Sequence, residues 1–255
     1  MSYKTIKINI DRNSIATVSL NRPNVRNAMN ETMMTELTSC FQDLSSNQAI
    51  RVVLLRGNGD SFSAGADLQM MKDSAEQTPK QNKAGTKLLG NMVAAIDSCT
   101  KPVVGVIHGH AFGGGFGLCT VCDIVIAEEK TVFSLSEVLI GLIPAVIGPY
   151  VENKIGKSWF RALGISGDRF DAPFAGKIGL AHFVTNESNM EMMINRVVKQ
   201  LLKGGPVAQL KFKDYIKNMA AADSHDLIAK IRASDEGQEG LSAFLEKRKP
   251  NWNKD

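Results

Sequence analysis

Apolar and polar residues alternate in two short runs at the start of the chain, YKTIKINI and SIATVSL, separated by the turn-like Asp11-Arg12-Asn13. That period of two predicts two strands. The loop-like NRPNVRNAMN follows, and Asn30 stands where a cap is needed for a helix running to about Ser46. RVVLLRG is a compact apolar strand ending in Gly57-Asn58-Gly59-Asp60, and SFSAGADL is a loop of small residues. A helix is predicted from about Pro79 to Cys99, then a buried strand VVGVIHG, three glycines and a short helix through Leu118. DIVIAEE and TVFSLSE read as two more strands. From Gly148 onward the pattern is helical, at about 157–166, 172–180, 188–203, 206–221, 223–235 and 237–248, with Pro206 and Gly237 marking two starts. Strands alternating with helices, then helices alone, predict an α/β core over residues 1–200 and a helical C-terminal region over 201–255.

Composition narrows the class. An apolar content of 44% and a charged content of 22% over 255 residues are those of a water-soluble globular chain with a sizeable core. No stretch is long and apolar enough to span a bilayer, and MSYKTIKINI lacks the order of a signal peptide. A cytoplasmic protein is expected, or one in a matrix if a transit sequence has been removed. A net charge of +4 is too mild for a dedicated nucleic-acid binder but suits a phosphorylated small ligand. The four cysteines do not form a disulfide framework; Cys119 and Cys122 have no second pair at zinc spacing and read as small buried residues. His108 and His110 alternate near a strand end and so should face opposite ways, which argues against a shared metal. Neither a metal nor a redox cofactor is expected.

Two glycine-containing loops follow strands: Ala64-Gly65-Ala66-Asp67 and Gly113-Gly114-Gly115. Without bulky side chains they let a ligand approach the backbone, and two N–H groups aimed at one point would make an oxyanion hole. Taken alone, such glycines are better explained by close backbone packing. GHAFGGG lacks the spacing of a dinucleotide loop. Glu137 lies in the mostly apolar TVFSLSEVLIGLIP, where burial would raise its pKa and suit it to proton transfer. Its local sequence favours another role, since Ser134-x-x-Glu137 fits a capping box.

Taken together, NRPNVRNAMN, SFSAGADL, GHAFGGGFGLCTVCDIVIAEE, FSLSEVLIGLIP and EGLSAFLEKRKP resemble the enoyl-CoA hydratase/isomerase (crotonase) family in order and spacing, from about Ile8 to Pro250. The resemblance implies a crotonase-like spiral of ββα repeats with a helical C-terminal trimerisation part. It implies an oxyanion hole from the N–H groups of Ala66 and Gly114, and an acid/base role for Glu137. Arg26, Asn27 and Ala28 match the segment that meets the coenzyme A nucleotide, and Ala64 belongs to the same binding surface. Asp67 and Leu68 would line the pocket. Phe244 and Lys247 match a pair that reaches coenzyme A, often that of a neighbouring subunit; simple packing with Leu241 and Leu245, and a solvated charge, are the plainer alternatives. No tightly bound cofactor is implied, because coenzyme A arrives as part of the substrate. A homotrimer or dimer of trimers is the expected assembly.

One departure from the pattern stands out. Hydratases of the family usually carry a glutamate shortly after G-G-G as well, and that position is Gly117 here. The usual glycine-rich run after I-P is replaced by Ala145-Val146-Ile147-Gly148-Pro149-Tyr150. This variant is similar to the bacterial methylglutaconyl-CoA and carboxygeranoyl-CoA hydratase branch. Gly117 is expected to open space, and to remove a negative charge, for a branched, carboxylated acyl group. Double-bond isomerisation or decarboxylation are the alternatives on the same scaffold. RNA binding is a further one suggested by the family, but Lys80, Lys83 and Lys87 opposite Leu88, Leu89, Met92, Val93 and Ile96 read as an ordinary solvated helix face.

Overall fold

Six strands form the main sheet of the protein in a computed structural model that describes residues 3–219 and 223–253. They are β1 (Ile6–Ile10), β2 (Ile15–Leu20), β3 (Val52–Gly57), β4 (Val103–Ile107), β6 (Ile124–Glu128) and β9 (Phe183–Thr185), side by side in that order. β1 and β2 are an antiparallel hairpin and every later neighbour is parallel. Parallel neighbours need crossovers, which helices supply, and the helices bury both faces of the sheet. That is why β4 is apolar and buried at all five of its positions. One face packs Met33, Leu37 and Phe41 of α1 (Glu31–Ser46) and Met92, Val93 and Ile96 of α3 (Pro79–Asp97) into the larger core. The other face sets Val52, Leu54, Val104, Val106 and Ile126 against Ile194, Val197 and Val198 of α7 (Met190–Lys203).

A second sheet holds β5 (His110–Phe112), β7 (Val132–Ser134) and β8 (Arg169–Asp171) in that order. The units β4-β5-α4 and β6-β7-α5, with α4 at Gly114–Thr120 and α5 at Gly148–Ser166, each send one strand to each sheet before a helix. The chain therefore winds as the expected spiral of ββα units. VVGVIHG is predicted as one strand, but β4 ends at Ile107. Gly109 then turns the chain into β5 at φ +61°, with no room for a Cβ beside the Asp60 carbonyl. His108 and His110 consequently do not alternate across one strand. His108 Nε2 is 2.7 Å from the Gly59 carbonyl oxygen and His110 Nδ1 is 3.0 Å from Ser61 Oγ.

Asn30 caps α1 as predicted, accepting from Met33 N–H at 3.0 Å. The predicted helix 157–166 is only the second half of α5, because Gly156 at φ +75° interrupts the helical backbone. α2 (Leu68–Glu76) was not anticipated, and α6 (Ala172–Lys177) is shorter than predicted. The C-terminal region comprises α8 (Pro206–Asn218), α9 (Ser224–Ala233) and α10 (Asp235–Leu245); predicted helical positions 220 and 221 lie outside the described residues. Polar ties hold it to the core. Arg51 donates to the carbonyls of Gly204 (2.7 Å) and Trp252 (3.1 Å), and Lys213 pairs with Asp123 at 2.7 Å.

Candidate active site

The loop after β3 is laced to its neighbours on both sides. Ser63 N–H donates to His110 O (2.9 Å) and Phe112 N–H to Ser63 O (3.0 Å). Across from them, Met29 N–H donates to Gly65 O (2.7 Å) and Asp67 N–H to Met29 O (3.0 Å). In such a parallel bridge the residue between, Ala66, turns its own N–H away from Met29. Gly114 is the first residue of α4, so its N–H has no partner within the helix. Neither N–H meets an acceptor among the described residues. The two loops touch at Gly65, which sits at φ +91°. A Cβ there would lie 2.7 Å from Phe112 O and 3.5 Å from Gly114 N, so this approach requires glycine. Two free donors thus stand on adjoining loops, the arrangement an oxyanion needs.

Beyond β7 the chain enters a single 3-10 turn, Glu137–Ile140, that has no side-chain cap. Ser134, the expected cap, belongs to β7 and gives its hydroxyl to Gly167 O at 3.1 Å. The capping-box reading is therefore excluded. Glu137 Oε1 instead lies 3.2 Å from where a Cβ on Gly113 would be, one residue before Gly114. Its Oε2 is buried with no hydrogen-bond partner among the described residues. Burial pushes the carboxyl above its ordinary pKa, opposed in part by the residue's own backbone N–H. A carboxylate so placed can both take and return a proton.

Gly117 lies one helical turn further on, with its N–H bonded to Gly113 O at 3.0 Å. The space expected beside it is not there. Ile147 fills it, with Cγ2 2.6 Å and Cβ 3.1 Å from the position a Cβ on Gly117 would take. Met29 Cε likewise occupies the place of a Cβ on Gly114, and Leu89 Cδ1 is 4.0 Å from that place. Met29 and Leu89 thus back Gly114, and Ile147 packs on Gly117. Sequence reasoning missed all three as site residues, although the unusual run holding Ile147 was visible.

A model of the enoyl-CoA hydratase/isomerase family matches residues 11–255. The chain belongs to that family. An enoyl-CoA hydratase structure from Shewanella pealeana superposes with a TM-score of 0.93 at 34% identity, covering 98% of this chain and 96% of that one. The Pseudomonas aeruginosa AtuE structure gives the same TM-score at 28% identity, covering 98% and 100%. The 2,3-dehydroadipyl-CoA hydratase of Escherichia coli is 28% identical over 93% of this chain and 94% of its own length. The protein is an enzyme of the enoyl-CoA hydratase/isomerase family with the crotonase fold.

The family's other expected residues fall into three groups. Ala64 takes its place beside Arg26, donating its N–H to Arg26 O at 2.8 Å. Arg26 and Asn27 adopt left-handed backbone, at φ +50° and +53°. Arg26 is exposed, while Ala28 and Asn27 are buried, and the Asn27 amide donates to Ser61 O at 2.8 Å as a structural brace. Asp67 also has structural work: it caps α2 through Gln69 and Met70 N–H and pairs with Arg22 at 2.7 Å. Burial alone would raise the Asp67 carboxyl, but these hydrogen bonds outweigh it and hold the pKa below its ordinary value. Leu68, next in line, is 75% exposed. Phe244 and Lys247 are exposed near the end of α10, on the C-terminal region. A groove of about 850 Å³ over β1 and β2 and one of about 450 Å³ among α8, α9 and α10 are lined by none of Glu137, Ala66 and Gly114.

Proposed function

We propose that the enzyme adds water reversibly to an α,β-unsaturated acyl-CoA, with Glu137 as its one acid/base. The observation that carries this reading is the Glu137 carboxylate seated against Gly113, beside the free Gly114 N–H, with one oxygen buried and unpartnered. In the forward direction Glu137 takes a proton from water as the water oxygen bonds to the β-carbon. The π electrons move onto the thioester oxygen, where the N–H groups of Ala66 and Gly114 stabilise the enolate. Glu137 then returns its proton to the α-carbon and the carbonyl re-forms. The carboxylate ends as it began, so one group serves both halves of the addition.

The acyl group proposed is branched and carboxylated, as in 3-methylglutaconyl-CoA. Gly117 spares such a group a second negative charge on α4, although Ile147 leaves it no added space. A relative named for 2,3-dehydroadipyl-CoA, itself a dicarboxylic acyl group, supports the class. A trimer or dimer of trimers, with Phe244 and Lys247 of a neighbouring copy meeting the coenzyme A, completes the proposal.

One observation favours double-bond isomerisation as a second reading: the wall at Ile147 is apolar and offers water no partner. Turnover of 3-methylglutaconyl-CoA and crotonyl-CoA with product identification separates the two. A 3-hydroxyacyl product, formed faster from the carboxylated substrate, is expected. A shifted alkene or released carbon dioxide would overturn hydration, and an equal or reversed preference would overturn the acyl class.

A further inference from the structure

We infer that Ile147 sets the size of the acyl group the enzyme accepts, as one half of a sterically coupled pair whose other half is Gly117. The inference rests on the acyl-CoA reading above and adds a specificity-determining residue to it.

The segment from Glu137 to Ile147 straddles α4. It enters with the Glu137 carboxylate against Gly113 and leaves with the Ile147 side chain against Gly117, one turn along the same helix. The intervening Leu139, Ile140, Leu142 and Ile143 are exposed, while Ile147 is 2% exposed. Val146 Cγ1 lies 3.7 Å from where a Cβ on Gly90 of α3 would stand, so the segment closes the gap between α3 and α4. An acyl chain held by its thioester oxygen at Gly114, with its reacting carbons at Glu137, is directed along this wall.

The contact is not one that a rotamer change relieves. Besides Cγ2, the Ile147 Cβ lies 3.1 Å and its Cδ1 3.3 Å from the position of a Cβ on Gly117. Cβ does not move when the side chain turns about χ1. The backbone is pinned as well, because Ile147 O accepts from Tyr150 and Val151 N–H, each at 3.0 Å, where α5 begins. A side chain at 117 is therefore fully accommodated only where residue 147 has no Cβ. The wall Ile147 presents is hydrocarbon, which suits an alkyl branch or chain and not a carboxylate, for it would remove water from the charge and supply no cation.

Binding of free coenzyme A, butanoyl-CoA and hexanoyl-CoA by calorimetry tests this without turnover. Ile147→Ala is expected to favour hexanoyl-CoA over butanoyl-CoA by about tenfold more than wild type does, the worth of two methylenes taken out of water. Free coenzyme A should bind all variants alike. Gly117→Ala alone should weaken both thioesters, and Gly117→Ala with Ile147→Gly, which removes the opposing Cβ as well, should restore them. Ile147→Val gives a smaller shift in the same direction and serves if the alanine variant does not fold. An unchanged thioester ranking in folded Ile147 variants, or no restoration in the double variant, would overturn the pairing. Wild-type enzyme that binds no acyl-CoA would overturn the reading beneath it.

Discussion

Ionising Glu137 places a charge where, among the described residues, Oε2 has no partner and no cation lies in contact, so the folded protein favours its protonated form. For a carboxyl whose folded pKa is raised, the stabilisation is fully present below the unfolded value of about 4.3 and is lost as pH rises through the folded one. Glu137→Gln removes that penalty. The variant should melt above wild type at about pH 8 and with it at about pH 4; a difference of equal size at both would show that the charge is not its source. The same substitution should lower kcat by about 10³-fold, the scale of a lost acid/base group, and leave coenzyme A binding intact. Substantial residual turnover would remove Glu137 from the chemistry. In wild type, kcat/KM should fall on acidification with an apparent pKa above the ordinary carboxylate range, since the reaction starts from the ionised base.

At the scale of elements, the two donor loops depend on features with no side-chain chemistry of their own. Gly65→Ala would set a Cβ against Phe112 O at a positive φ, so the loop must shift and the Ala66 and Gly114 N–H groups part. A fall of about 10²-fold in kcat is expected with helix content unchanged by circular dichroism, the cost of losing one oxyanion donor. Asp67→Ala removes the α2 cap and the ion pair with Arg22, and about 2 kcal/mol of stability should disappear in urea titrations. The long amphipathic elements, α1 and α3 among them, were legible from apolar period and caps. The three-residue strands β5, β8 and β9 were not, because a period of two needs more residues to show. α2 escaped notice because Asp67, the residue that starts it, reads equally well as a pocket residue. The positions of Ala66, Gly114 and Glu137 emerged only from several motifs in order. Ile147 did not emerge, since its contact with Gly117 spans thirty residues and exists only once α4 and α5 have packed.

At the scale of the whole molecule, the C-terminal region has too little core of its own for the apolar surface it carries. Ala243 is the buried residue of α8, α9 and α10 among those described. Phe212, Ile216, Ile228 and Leu241 are exposed on the same three helices, with Phe244 at 79% and Leu245 at 76%. The ties from this region to the core through Arg51, Lys213 and Lys217 are polar and leave those side chains in water. An exposed apolar surface of this kind is the mark of an interface, and closed rings of identical chains are the common way to cover it. The trimer or dimer of trimers proposed above would give a particle in solution of three or six times the 27.7 kDa mass of the chain. Phe244→Asp should shift it towards monomer in analytical ultracentrifugation, because a desolvated carboxylate opposes association. If Phe244 also reaches the coenzyme A of its neighbour, Phe244→Ala should weaken acyl-CoA binding about tenfold even at protein concentrations where the assembly persists. Dissociation and lost affinity are then separable. Weakened binding in the intact assembly places Phe244 at the ligand, whereas weakened binding only on dissociation makes it an interface residue alone. A wild-type monomer that binds acyl-CoA tightly would exclude both roles.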